Sequence, residues 1–131
     1  MFVEVVRRYL ASLSADATGW VAALRDETVG RAVALLHESP SEAWTLARIA
    51  KSVGVSRSVL ADRFTHLVGH PPMQYLTRWR MQLAARQLSD GSLKVSSIAR
   101  EVGYESEAAF SRAFKKVAGV APAVWRNRSR A

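Results

Sequence analysis

Apolar residues recur along this chain at intervals of three and four, and no run shows sustained alternation with β-branched enrichment. Phe2, Val5, Val6, Tyr9 and Leu13 fall on one face of an amphipathic first helix, which the stretch SADATGW interrupts. A short helix is expected around Trp20 to Leu24. Another follows from about Glu27 to Glu38, with Val29, Val33 and Leu36 inward and Asp26 placed to cap it, until Ser39, Pro40 and Ser41 end it. The next begins near Thr45, whose hydroxyl can accept from first-turn N–H groups, and carries Leu46, Ile49, Ala50 and Val53 to Gly54. From Ser56 a further helix sets Leu60, Phe64 and Leu67 on one face until Gly69. Pro71 and Pro72 suit the first turn of a long helix that ends near Leu88 at SDGS, with Leu76, Trp79, Leu83 and Leu88 as its buried stripe. Two more helices, about Val95 to Val102 and Ser106 to Ala118, precede a last one from Ala121 to Arg126. The pattern predicts an all-α fold.

Part of this pattern is written twice. Ile49, Ala50, Val53 and Gly54 match Ile98, Ala99, Val102 and Gly103 at an offset of 49, whereas Ser56, Phe64, Gly69, Pro72 and Tyr75 match Ser106, Phe114, Gly119, Pro122 and Trp125 at an offset of 50. The second turn therefore holds one extra residue. Each unit is helix, glycine-containing turn, helix, which is the helix-turn-helix arrangement. Alanine allows close approach of the two helices, and glycine four residues later can take the positive φ at which the chain reverses.

Charge separates the two ends of the chain. From Met1 to Trp44 four basic residues stand against six acidic ones, and from Thr45 to Ala131 fifteen stand against five. A partner that is a polyanion meets the second part, and charge alone does not choose between a phosphate backbone and acidic lipid. With 131 residues and 49% hydrophobic content the chain can bury a core. It has no cysteine, which excludes a disulfide framework, a cysteine-based zinc site and a thiol nucleophile, and which fits a reducing cytoplasm. The start, MFVEVVRRYL, lacks the uninterrupted apolar core of a signal peptide, and no segment has the roughly 20 apolar residues of a membrane span.

The run WTLARIAKSVGVSRSVLADRFTHLVGHPPMQYL, then RWRMQLAARQL, then IAREVGYESEAAFSRAFKKVAGVAPAVWR resembles the DNA-binding domain of AraC/XylS-type bacterial transcription regulators. The resemblance covers about Trp44 to Arg126. Ahead of it, the RRYL helix, GWVAAL and LLHESP are similar to the part that joins this domain to a cupin-like effector domain in one branch of the family; that effector domain is absent from this chain. The resemblance implies two homeodomain-like helix-turn-helix subdomains on a connecting helix, preceded by a helical extension. The expected divisions are an extension over residues 1–40 and a DNA-binding domain over 41–131. Within the latter fall a first helix-turn-helix at about 45–69, the connecting helix at about 71–89, a second helix-turn-helix at about 95–119 and a final helix at about 121–126.

The resemblance further implies that the second helix of each unit enters a major groove of double-stranded DNA. In the second unit Phe110, Phe114 and Val117 are expected inward, which leaves Glu107, Ala108, Ser111, Arg112 and Lys115 outward. Arg112 can donate a bidentate pair to guanine, Ser111 can pair with several bases, and Glu107 can accept from cytosine N4. The equivalent face of the first unit is Arg57, Ser58, Ala61, Asp62 and Thr65. Asp62 must accept from cytosine or pair with Arg63 or another basic side chain, and Ala61 offers only a contact to a thymine methyl, so sharper readout is expected from the second unit. Candidate phosphate contacts are Thr45, Arg63, Arg78, Arg80, Ser106, Lys115 and Lys116. For Arg78 and Arg80, as for Arg86, a solvated helix face is the plainer account. The connecting helix would span roughly 25 Å, and the flanking lobes extend this toward the ~34 Å between successive grooves on one DNA face.

Other features carry plainer readings. Trp20, Trp44, Trp79 and Trp125 lie on apolar stripes and read as core anchors in preference to base-stacking platforms. His66 and His70 have the spacing of a metal pair, but Gly69 and Pro71 end the helix around them and no third ligand is near, so neither metal nor cofactor is expected. His37 reads as a helix C-terminal residue favoured by the macrodipole. No catalytic constellation points to an enzyme. Three function classes stay open: a sequence-specific transcription regulator on the nucleoid; a non-specific or RNA-binding module; and a truncated regulator that pairs with a full-length one, with RNA polymerase or with a second copy of itself. Two units at fixed spacing favour the first.

Overall fold

The computed structural model describes residues 25–130; the expected helices over Phe2 to Leu13 and near Trp20 lie outside them. Among the described residues there are seven helices and no strand: α1 Glu27–Glu38, α2 Leu46–Val53, α3 Arg57–Val68, α4 Pro72–Asp90, α5 Val95–Glu101, α6 Glu107–Ala118 and α7 Pro122–Arg130. They form two compact units that divide inside α4, between Leu76 and Thr77.

In the first unit α1, α2 and α3 pack on one another around Val29, Val33, Leu36, Ile49, Val53, Leu60 and Phe64, and the first turn of α4 adds Tyr75 and Leu76. Three side chains start its helices. Asp26 accepts from the Val29 N–H at 2.9 Å, Thr45 from Arg48 at 3.0 Å and Ser56 from Val59 at 3.2 Å, each satisfying a donor that the helix itself leaves open. The second unit builds its core from Met81, Ala84, Ala85 and Leu88 of α4, Ile98 and Ala99 of α5, Phe110 and Phe114 of α6 and Trp125 of α7.

The repeat reaches further back than the paired turns. The wholly buried positions of α1, Val29, Ala32, Val33 and Leu36, recur as Met81, Ala84, Ala85 and Leu88 of α4 at an offset of 52. Each unit is thus a three-helix lobe closed by the first turn of a fourth helix, with an aromatic edge contact at the closure: Phe64 on Tyr75 at 5.6 Å and Phe114 on Trp125 at 5.5 Å between ring centroids. The boundary expected at residue 40 accordingly differs from the fold. The helix Glu27–Glu38 belongs to the first lobe because its apolar face is that lobe's core.

Four further expectations are corrected. Val68, one helical turn beyond Phe64, takes the buried position expected of Leu67, which is only partly covered. Val117 is 37% exposed, and Ala113 and Ala118 complete the inward face of α6. Trp79 and Leu83 are partly buried, because α4 serves two cores and no single stripe of four residues describes it. The last helix runs on to Arg130.

Candidate nucleic-acid interface

Each lobe presents its third helix by the same backbone device. Gly54 (φ 78°) and Gly103 (φ 100°) turn the chain in the left-handed region. The residue after each glycine then donates back into the preceding helix, Val55 to the Ala50 carbonyl at 3.0 Å and Tyr104 to the Ala99 carbonyl at 2.8 Å. Ser106 caps α6 through Ala109 at 3.1 Å as Ser56 caps α3. The two turns match through Tyr104 and match again from Ser106, so the inserted residue is Glu105, which is exposed.

On α3, Arg57, Ser58, Asp62 and Thr65 are exposed and Ala61 is partly covered; on α6, Glu107, Ala108, Arg112, Lys115 and Lys116 are exposed and Ser111 is partly covered. Leu60 and Phe64 in the first lobe, and Phe110 and Phe114 in the second, anchor the opposite sides of these helices at 0% exposure. Arg57, Asp62 and Arg112 have no ion-pair or side-chain hydrogen-bond partner among the described residues. Asp62 is thus not satisfied by Arg63, the partner suggested by adjacency. Glu107 in the first turn of α6 and Lys115 and Lys116 in the last also suit the helix dipole.

The expected phosphate contacts have varied surroundings. Thr45 and Ser106 are exposed helix caps. Arg63 pairs with Asp26. Arg78 is partly buried and Arg86 exposed. Arg80 is half-buried with its guanidinium 5.9 Å from the Tyr104 ring centre; burial lowers its pKa, and Tyr104 partly offsets that. Tyr104 itself shares a side-chain hydrogen bond with Thr77 and packs edge-on against Phe110 at 5.8 Å, so Arg80 and Thr77 brace the second turn.

Sequence reasoning did not single out Arg48, which the fold places beside the Thr45 cap. It stands exposed in the first turn of α2, lies 4.7 Å over the Trp44 ring and pairs with Glu42 at 3.1 Å. The signal was its place three residues after the cap Thr45, on the end of the helix that crosses the phosphate backbone in helix-turn-helix docking. Trp44 is held beneath it by a 2.8 Å bond from Nε1 to the Ser39 carbonyl. His37 lies in the last turn of α1, as expected, and the fold gives it a further partner. Its ring stacks on Tyr75 at 5.8 Å with Nε2 2.5 Å from the Tyr75 hydroxyl, and burial lowers its pKa, which favours the neutral imidazole. Among the described residues no group of three or more potential ligands could hold a metal, and no helix is long and apolar enough to cross a membrane.

Comparison with known proteins adds an independent line. A helix-turn-helix domain family matches residues 49–128. An AraC-like protein of Streptomyces lividans is 48% identical over 126 residues, covering 96% of this chain and 41% of that protein. The HTH-type transcriptional regulator AlkR of Acinetobacter baylyi is 36% identical over 98% of this chain and 42% of its own length. The chain therefore spans about two fifths of the length of these relatives. Among solved structures, the C-terminal domain of the response regulator AraT from Geobacillus stearothermophilus is similar with a TM-score of 0.75, at 33% identity over 77% of this chain and 84% of that one. The DNA-binding domain of the global transcriptional factor AdpA, in complex with a target DNA, is similar with a TM-score of 0.76, at 28% identity over 80% of this chain and 94% of that one. With the tandem glycine turns, the capped third helices and these likenesses in agreement, the chain belongs to the AraC-type helix-turn-helix family.

Proposed function

We propose that this chain is the sequence-specific double-stranded DNA-binding part of a transcription regulator, with one reading helix from each lobe entering a major groove. The observation that carries this is the state of Arg57 and Arg112. Each sits exposed on a capped helix whose opposite side is locked into a core, and neither is engaged by another described side chain. Such a guanidinium meets guanine O6 and N7 without first giving up an intramolecular bond. The excess of ten positive charges from Thr45 onward supplies the steering toward phosphate. The likeness to the AdpA domain, whose structure is a complex with a target DNA, supports the same reading.

The test is selection of bound sites from random duplex DNA, followed by titration across salt. A defined motif should emerge, and log affinity should fall linearly with log salt by about 0.9 per phosphate neutralised. Recovery of random sequence with a steep salt slope would leave only a non-specific nucleic-acid binder, and a flat salt response would remove DNA as the partner.

A further inference from the structure

One ion pair of the first lobe lies outside the proposed function. Arg63 of α3 reaches Asp26, the residue that opens α1. The Asp26 carboxylate has two jobs: Oδ1 accepts from the Val29 N–H at 2.9 Å, and Oδ2 accepts from the Arg63 guanidinium at 2.5 Å. Capping makes the carboxylate a fixed anchor, since its rotamer is set by the start of the helix. Its side chain is 15% exposed, against 49% for Arg63. The Val29 N–H first, and Arg63 after it, hold the carboxyl below its ordinary pKa against the opposing effect of burial.

Two observations separate this contact from general surface pairing. Arg63 lies roughly 160° around α3 from Thr65 and about 100° from Asp62, on the flank away from the Ala61 and Thr65 edge. It is also specific to the first lobe. At the offsets of the repeat Arg63 corresponds to Ala113 and Asp26 to Arg78, so the second lobe has no such pair. A second tether acts alongside it: the Arg31 guanidinium donates to the Ser52 carbonyl at 3.2 Å, where the second lobe has Leu83 packed against its core. The first lobe thus ties α1 to α2 and α3 through Arg31 and Arg63, at positions where the second lobe has Leu83 and Ala113 packed against its core.

We propose that Arg63 is a positioning residue and not a phosphate contact: latched to Asp26, it sets how far α3 is rolled about its axis, and so which of Arg57, Ser58, Ala61 and Asp62 reach the base edges. This rests on the DNA-reading function proposed above. A partly exposed pair adds little stability. Its effect is orientational, because α3 is otherwise seated by the buried side chains Leu60, Phe64 and Val68, with Leu67 partly covered beside them.

The test uses the full chain and three variants. Asp26→Asn keeps an N-cap acceptor and removes the charge; Arg63→Met keeps the aliphatic stem and removes the guanidinium; the third carries both changes. Affinities are measured on the selected site, on its single-base variants and on random duplex across salt, with the base pairs of the first lobe assigned by Arg57→Ala. Each single variant should flatten preference at one or two of those base pairs by about tenfold, the size of one mismatched pair. The double variant should lose no more than either single, and the second lobe's base pairs and the salt slope should stay unchanged. If Arg63→Met instead lowers the slope by about one while Asp26→Asn tightens random duplex, Arg63 is a phosphate contact that Asp26 restrains, and the latch is overturned. Unchanged base preference in both singles overturns it as well. If the unmodified chain selects no site, the DNA-reading function fails by itself. The latch is then decided in the free protein: amide shifts over 57–68 displaced alike by both single variants sustain it, and unchanged shifts overturn it.

Discussion

Replacing Arg112 with alanine tests the base reading proposed for the second lobe apart from its fold. The side chain is exposed and has no partner among the described residues, so its removal costs the fold almost nothing, within about 0.5 kcal/mol for a surface position. The backbone beneath it is fixed by Phe110 and Phe114, both at 0% exposure, and by the Ser106 cap, all of which the substitution leaves in place. What is lost is the contact alone. A bidentate pair with guanine discriminates by roughly 1 to 3 kcal/mol, which corresponds to about a five- to 150-fold loss on the preferred site, with preference relaxed at one base pair. Random duplex, which offers no fixed guanine, should be bound almost as before. Fluorescence anisotropy on the selected site, its single-base variants and a random duplex at one salt concentration reads all three quantities. Equal weakening on specific and random DNA would make Arg112 a phosphate contact. A substantial fall in melting temperature would show that its exposed, unpaired state had been misjudged.

Asp62→Ala should tighten binding to random duplex by about two- to fivefold, the size of one exposed charge interaction, while discrimination at one position of the first half-site falls; competition titrations on both DNAs check it. Gly54→Ala should cost about 1 to 2 kcal/mol from its positive φ alone, since a Cβ there meets no atom within 4 Å. Gly91→Ala, where φ is not positive and a Cβ would lie 3.4 Å from the Gln87 carbonyl oxygen, is the milder comparison in urea melts. His37 is pushed below its ordinary pKa by burial, so the unfolded chain binds the proton more readily. Its contribution is present above about pH 6.5 and is lost as pH falls below that value. Melts between pH 8 and 5 should show the loss, and His37→Gln should reduce the dependence.

Helix existence was legible throughout the described residues because caps and apolar spacing agree: Asp26, Thr45 and Ser56 all cap where the pattern placed them. What it missed has two causes. A stripe read at spacings of three and four leaves a choice at its end, and tertiary packing chose Val68 over Leu67 and left Val117 in solvent. A helix shared by two cores gives a mixed pattern, which is why Met81, Ala84 and Ala85 were passed over for Trp79 and Leu83. The long pairings were out of reach from spacing altogether. Arg63 with Asp26 and His37 with Tyr75 are 37 and 38 residues apart, and only the fold brings them together.

Each lobe builds its own core on the same pattern and the two differ in their polar residues, which bears on the proposal that one chain carries two unequal readers. Position by position, the buried sets of α1 and α4 match, the alanine and glycine of each turn match, and a buried phenylalanine meets an aromatic ring at each closure. Insertion of Glu105 disturbs none of this. The Tyr104 bond to Ala99 stands before it and the Ser106 cap after it, so the extra residue lengthens only the exposed link between them. Arg63 and Asp26 likewise add a tether to one lobe without entering its core. If buried positions specify the lobe and exposed ones the proposed reading, substitutions at Asp62, Glu105 or Arg112 should retune one half of a binding site while the other half, and the fold, stay as they are.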